Sequence, residues 1–243
     1  MVITSASNSK VLLVRKLQDK KYRNRFKQYC IEGVRLYQEA LRFGKKPLEV
    51  FVKQSLSDKL NIDGATVVED NVFDKMSDTV SSQGLIAVLP IEDNDTVASG
   101  NCLVLDSLQD PGNVGTLLRT ACATGFDTVY LYRCVDVYSP KCVRSAMSAH
   151  FAINLVTVDD FDVLKQRISN CRVVCADMDG KDVSQFQYNE PIALVLGNEG
   201  NGIGDYFNEI SDDVVSLSMK NNLESLNVAV AGSILMYILG GKQ

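Results

Sequence analysis

Histidine is almost missing from this chain: one residue, His150, among 243. A zinc centre or a Ser-His-Asp system would therefore have a single imidazole to draw on, and no nucleophile-elbow pattern accompanies it. His150 is expected to be packed or solvated at a helix end. No run approaches the roughly 18 apolar residues needed to cross a bilayer. The opening MVITSASNSK has no apolar stretch of the signal-peptide kind. Neither membrane insertion nor secretion is expected, and the cytoplasm is the expected location. The apolar stretch from Val228 to Leu239 suits a buried helix. The seven cysteines are odd in number and scattered through strand- and helix-like segments, and CRVVC (171–175) reads as a strand. They are expected to be reduced, structural thiols, with no metal.

Acid is scarce at one end only. Residues 1–60 carry 14 Lys+Arg against 5 Asp+Glu, while the rest carries 11 against 25, within a formal net charge of −5. Such asymmetry predicts one phosphate-attracting region attached to a body that does not attract phosphate. Between residues 10 and 27 the basic groups are Lys10, Arg15, Lys16, Lys20, Lys21, Arg23, Arg25 and Lys27, against Asp19 alone. Val11, Val14 and Leu17 fall at near-helical spacing, which leaves the opposite side to the cations. Tyr22 and Phe26 are interleaved with them. The composition favours RNA contact over a merely solvated face, and Arg144 is added to this set.

IEGVRLYQEALRF (31–43) reads as part of a helix over 30–43 with Gly44 as its stop, and strands are expected at 48–52, 65–68 and 84–89. This makes a small α/β domain over 1–92. The polar stretch 93–101 is the expected linker. Across 102–243, strands at 103–107, 128–132, 153–158, 172–176, 192–197 and 214–219 alternate with helices at 114–124, 140–150, 160–169, 203–209 and from about 225 to 239. Apolar strands alternating with helices indicate an α/β parallel sheet covered on both faces.

Three clusters lie just beyond strand ends, where such sheets place their sites. In DSLQDPGNVGTLLRT, Asn113 is a candidate cap for the next helix, and Arg119 lies one to two turns along. In LVLGNEGNGIG, the glycines at 197, 200, 202 and 204 surround Asn198 and Glu199. Their spacing is not the dinucleotide fingerprint, and the lysine of a phosphate loop is missing. A carboxylate in a glycine loop repels phosphate and suits a ligand with positive charge or exposed donors, such as S-adenosylmethionine. In NNLESLNVAVAGSILMYIL, Ser225 opens a helix and Asn227 lies in its first turn.

Together and in this order the clusters resemble the three motifs of the SpoU (TrmH) family of RNA ribose 2′-O-methyltransferases. Asn113-x-Gly115-x-x-x-Arg119 is similar to the first, Gly197-x-Glu199-x-x-Gly202 to the second, and Ser225-Leu226-Asn227-Val228 to the third. Asn8, Leu17, Arg23 and Glu32-Gly33 resemble the family's substrate-binding domain, whose fold is L30e-like. The resemblance implies a C-terminal trefoil knot, a homodimer, S-adenosylmethionine as methyl donor and RNA as substrate. Ribosomal RNA of the large subunit is favoured over tRNA. It implies donor contacts at Leu196, Gly197, Asn198, Gly202, Leu217, Met219 and Leu226. It implies a catalytic group of Asn113, Arg119, Glu199, Ser225 and Asn227. The chain departs from the family pattern at Ser218-Met219, where a proline often precedes the methionine, and at Ser148, where glycine is common. Two rivals stand beside this reading. One is a non-catalytic RNA-binding ribosome assembly factor. The other is a doubly wound dehydrogenase, disfavoured by the missing fingerprint.

Overall fold

The computed structural model describes residues 2–221 and 225–240, which form two units. The first comprises Met1–Glu92 together with Tyr138–Phe151. After β1 (Val2–Ile3), α1 (Ser9–Lys16) opens where the Asn8 side chain accepts a hydrogen bond from the Lys10 amide. Val11, Val14 and Leu17 are buried, as their spacing requires. The basic stretch is nevertheless two helices, because Asp19 caps a second one, α2 (Lys20–Phe26), which ends on Lys27 in the left-handed region. The helix expected over 30–43 is really β2 (Gln28–Glu32) followed by α3 (Val34–Arg42). Tyr29 and Ile31 alternate with more exposed neighbours, and Gly33 turns the chain at φ +106°. A period of two and a glycine turn override the helical reading of the Ile31–Phe43 pattern.

Next come β3 (Glu49–Lys53), α4 (Ser57–Leu60), β4 (Thr66–Val68), α5 (Asp70–Phe73) and β5 (Leu85–Pro90), giving the mixed sheet order β1-β4-β3-β5-β2. The helical stretch expected at 140–150 divides into α7 (Pro140–Ala146) and α8 (Ala149–Ala152). Val143 and Phe151 pack with Tyr29, Ile31, Leu36 and Leu85, so this piece joins the first unit's core and interrupts the continuous 102–243 domain that the sequence suggested.

His150 is buried there, its ring 5.4 Å from Tyr29, 5.2 Å from Tyr138 and 6.1 Å from Phe151. Burial, with a smaller contribution from nearby Lys45, pushes its pKa down from 6.5 to about 3. Between those two values the unfolded chain holds a proton on His150 that the folded chain does not. Its contribution to stability is complete above pH 6.5 and falls as the pH is lowered toward 3. A His150→Phe variant is expected to lose less stability than the wild type between pH 7 and pH 4, as read by denaturant midpoints. Equal losses would contradict this.

The second unit comprises Asp93–Val137 and Ala152–Gln243. Its strands are β6 (Cys102–Asp106), β7 (Thr128–Tyr132), β8 (Asn154–Val158), β9 (Arg172–Asp182), β10 (Ile192–Leu196) and β11 (Asp213–Ser216). All pair in parallel, in the order β11-β9-β10-β6-β7-β8. Every residue of β6, β7 and β10 is buried, as a sheet covered on both faces demands. The helices are α6 (Pro111–Thr124), α9 (Phe161–Arg167) and α10 (Val228–Gly240), and the helix expected at 203–209 is a 3-10 turn at Asp205–Glu209.

Alignment of Leu196 with Leu105, and of Asp106 with Tyr132, brings the carboxyl ends of β10, β6 and β7 side by side. Gly232 lets α10 sit close against the sheet: a Cβ there would lie 2.4 Å from Leu196 Cδ1 and 2.6 Å from Leu117 Cδ2. A hydrogen bond of 2.9 Å between the hydroxyls of Thr120 and Ser233 joins α6 to α10. Among the described residues no helix is long and apolar enough to cross a membrane, and no cluster of three metal-ligating side chains occurs.

Candidate active site

The site is assembled by two helix caps. The first lies at α6, where Asp110, not Asn113, is the cap: its carboxylate accepts from the Asn113 amide at 2.9 Å, and Pro111 starts the helix. With that duty taken, the Asn113 side chain is free to point outward. The second lies at α10, where Asn227 caps through Oδ1, accepting from the amides of Ala229 (3.0 Å) and Val230 (3.3 Å). The helix consequently begins at Val228, leaving Ser225 outside it.

These caps fix a polarity. Because Asn227 Oδ1 is engaged with the helix, its Nδ2 faces Asn113 and donates to Oδ1 there at 3.2 Å. Asn113 is thereby oriented with Nδ2 toward Glu199, donating to Oε1 at 2.6 Å. Each amide has one acceptor and one donor end, so the chain Asn227→Asn113→Glu199 runs in one direction only. It joins residues 86 and 114 positions apart. All three expected motifs therefore meet through named atoms.

The glycine loop that carries Glu199 is held tightly. Asn198 and Gly202 exchange two backbone hydrogen bonds of 2.9 Å, and Gly202 takes φ +67°. A Cβ on Gly197 would stand 2.2–2.3 Å from the backbone of Gly202 and Ile203. Asn198 Nδ2 donates to Ser107 O at 3.0 Å, while its Oδ1 accepts from the amides of Gly200 and Asn201. Its amide and its backbone are both engaged within the protein. Asn198 thus holds the glycine loop in shape. A Gly197→Ala variant is expected to force the bridge apart and weaken ligand binding in the loop by at least about tenfold. Calorimetric titration would check this, and unchanged affinity would contradict it.

One residue that the sequence reading missed anchors this loop from below. Asp106, at the end of β6, is buried and accepts from the Gly204 amide (2.8 Å), the Tyr206 hydroxyl (2.5 Å) and the Ser107 hydroxyl (2.9 Å). Burial and the adjoining carboxylate hold the Tyr206 phenol well above its usual range, and hence protonated as a donor. The available signal was an acid ending the otherwise apolar run LVLD. Ser107 itself takes φ +60°, an uncommon conformation that recurs at functional strand ends.

The remaining site residues are placed as follows. Arg119 is exposed on α6, with no hydrogen bond or ion pair among the described residues. Leu196 is buried beneath Gly232 and packs in the core. Leu217 and Leu226 are half-buried, while Met219 and Ser225 are exposed. No hydrogen bond joins those four to the Asn113–Glu199 pair among the described residues. Residues 222–224, within the third cluster, lie outside the described residues.

The basic residues divide sharply. Arg23 is only 3% exposed and donates to Leu17 O at 2.7 Å, so it builds the first unit rather than facing a partner. Lys10 is paired with Glu49 at 2.7 Å and Arg144 with Asp78 at 2.6 Å. Arg15, Lys16, Lys20, Lys21 and Arg25 are exposed without an ion pair among the described residues, and Lys27 is exposed at the end of α2.

Comparison with known proteins agrees with this anatomy. The SpoU rRNA Methylase family matches residues 100–237, and the MRM3-like substrate binding domain matches residues 8–87. The chain is 31% identical to the 23S rRNA (guanosine(2553)-2′-O)-methyltransferase RlmP of Bacillus subtilis, over 98% of this chain and 99% of that protein. A TrmH-family structure from Porphyromonas gingivalis superposes with TM-score 0.85 at 32% identity, over 96% of this chain and 97% of that one. An AdoMet-bound rRNA methyltransferase from Sinorhizobium meliloti does so with TM-score 0.86 at 25% identity, over 98% and 96%. With its parallel sheet, its three convergent motifs and a separate N-terminal unit, the chain belongs to the SpoU rRNA methylase family and is an RNA methyltransferase.

Proposed function

We propose that this protein transfers the methyl group of S-adenosylmethionine to a ribose 2′-hydroxyl of large-subunit ribosomal RNA. The observation that carries the reading is the one-directional chain from Asn227 through Asn113 to Glu199, which gathers the three motifs at the carboxyl edge of the sheet. The methyl donor fits the glycine loop on chemical grounds. Gly197, Gly200 and Gly202 present backbone without side chains, and Glu199 offers a carboxylate suited to a cationic ligand rather than to phosphate. When bound, the donor would supply an electrophilic methyl group on a sulfonium, with the neutral thioether S-adenosylhomocysteine as leaving group.

The residues of this chain align the ribose 2′-oxygen and handle its proton. Arg119 is a guanidinium and stays protonated, so it does not act as a base. It holds an RNA phosphate beside the target ribose and stabilises the developing alkoxide. Proton acceptance falls to Glu199, the substrate phosphate or water. Gly197, Gly202, Leu217, Met219 and Leu226 border the donor, and Ser225 joins the polar group.

Residues 1–92 with 138–151 dock RNA, and the second unit carries the chemistry with the knotted C-terminal segment of its family. Val230, Ile234 and Tyr237 lie at helical spacing along α10 and are 48%, 39% and 77% exposed. An apolar stripe of this kind supports a homodimer in which a second copy covers α10. The unbridged thiols fit a cytoplasmic location.

Calorimetry with S-adenosylmethionine tests the reading. Saturable binding is expected. Its absence from folded protein would favour a non-catalytic assembly factor. Mapping 2′-O-methyl sites across total RNA from cells with and without the gene would then identify the nucleotide.

A further inference from the structure

The corner formed by α1 and α2 carries two aromatic rings that the first unit's core does not use. Tyr22 and Phe26, one turn apart on α2, hold their ring planes within 12° of each other with centroids 6.1 Å apart. Neither belongs to the cluster built on Val11, Val14, Leu17, Phe51 and Phe73. Phe26 is exposed and Tyr22 half-buried. Cations flank both: Lys16 Nζ and Lys21 Nζ lie 5.6 and 5.9 Å from the Tyr22 ring centre, and the Arg25 guanidinium 5.6 Å from that of Phe26.

A ring pair at i, i+4 does stabilise a helix modestly, and cations often rest on rings. That account explains the contacts but not the cations' lack of carboxylate partners. Lys16, Lys20, Lys21 and Arg25 form no ion pair among the described residues, whereas Lys10 and Arg144 elsewhere in the same unit do. Asp19, the one acid between residues 10 and 27, is engaged in capping α2 through the Lys21 amide. One exposed and one half-buried ring framed by unneutralised cations match the needs of a nucleotide whose base is free to stack and whose phosphates need counter-charge.

We propose that the α1–α2 corner is a stacking platform for unpaired nucleotides of the RNA substrate. Tyr22 and Phe26 receive base faces, while Lys16, Lys20, Lys21 and Arg25 leave the rings for the flanking phosphates. A duplex does not fit this role, because its base faces are stacked internally. The proposal rests on the RNA-methyltransferase reading and deepens it by naming single-stranded loops or bulges as the docked element.

The test is fluorescence anisotropy of the full chain with a labelled short single-stranded RNA and with a duplex of the same sequence, over a range of salt. The wild type is expected to favour the single strand by about tenfold or more. Phe26→Leu and Tyr22→Leu should each weaken single-strand binding by about five- to a hundredfold with the salt slope unchanged, while Phe26→Trp keeps the affinity. Lys20→Gln with Lys21→Gln should instead lower the salt slope by about 0.7 per lysine removed. Equal affinity for duplex and single strand overturns the platform. So do leucine variants that bind like the wild type, or polyglutamate competing as well as RNA. If the chain binds S-adenosylmethionine and RNA but ignores the leucine substitutions, only the platform fails. If it binds neither, the parent reading fails with it.

Discussion

Arg119→Lys is expected to lower the rate of methyl transfer by about two to three orders of magnitude while donor affinity stays within twofold of the wild type, about the scale of losing one donor to a developing oxyanion. The side chain projects from α6, six residues beyond Asn113, and meets no partner among the described residues. A structural arginine would be found in an ion pair or against a carbonyl, as Arg23 is against Leu17 O. The lysine variant keeps the positive charge but loses the planar fork that grips a phosphate through two parallel hydrogen bonds. Single-turnover kinetics with labelled donor, alongside calorimetry, separate the two quantities. Near-normal turnover by Arg119→Lys would refute the role assigned to Arg119.

Asn227→Asp isolates the polar chain from the helix cap. Aspartate caps a helix about as well as asparagine, so the melting temperature should move little. The substitution removes the Nδ2 donor to Asn113, however, and places a second carboxylate near Glu199. Asn113 then has no good orientation. Keeping Nδ2 on Glu199 opposes its Oδ1 to the introduced carboxylate, and flipping opposes that oxygen to Glu199. Activity is expected to fall by about ten- to a hundredfold, the scale of a lost hydrogen bond to a charged group. A variant that melts like the wild type and methylates like it would show the chain to be incidental.

Much of the second unit was legible in the sequence because its central strands are continuous apolar runs. LVLD, TVYLY and IALVL are buried on both faces, and such runs have few other places to go. The motifs were legible because their residue types are constrained by backbone and polarity, as Gly197 shows against Gly202. What escaped depends on choices between near-equal partners. Asp110 and Asn113 are both competent caps, and sequence does not say which is used; the structure gives the cap to Asp110 and frees Asn113 for Glu199. The burial of Arg23 and the pairing of Lys10 with Glu49 and Arg144 with Asp78 are set by long-range packing, invisible in a local charge run. Residues 28–32 carry strand alternation too short to outweigh the helical pattern beyond Gly33. Asp106 went unnoticed because an acid at a strand end reads as solvent-facing until Gly204 and Tyr206 are seen to close over it.

The most direct test is to incubate the purified protein with S-adenosylmethionine labelled in its methyl group and with large-subunit ribosomal RNA, digest the RNA to nucleosides and locate the label. Label in a 2′-O-methylribose, incorporated far more slowly by Asn227→Asp and Arg119→Lys, is the expected result. Label on a base, or equal incorporation by both variants, would contradict the assignment of the Asn227–Asn113–Glu199 edge as the place where the ribose oxygen is methylated.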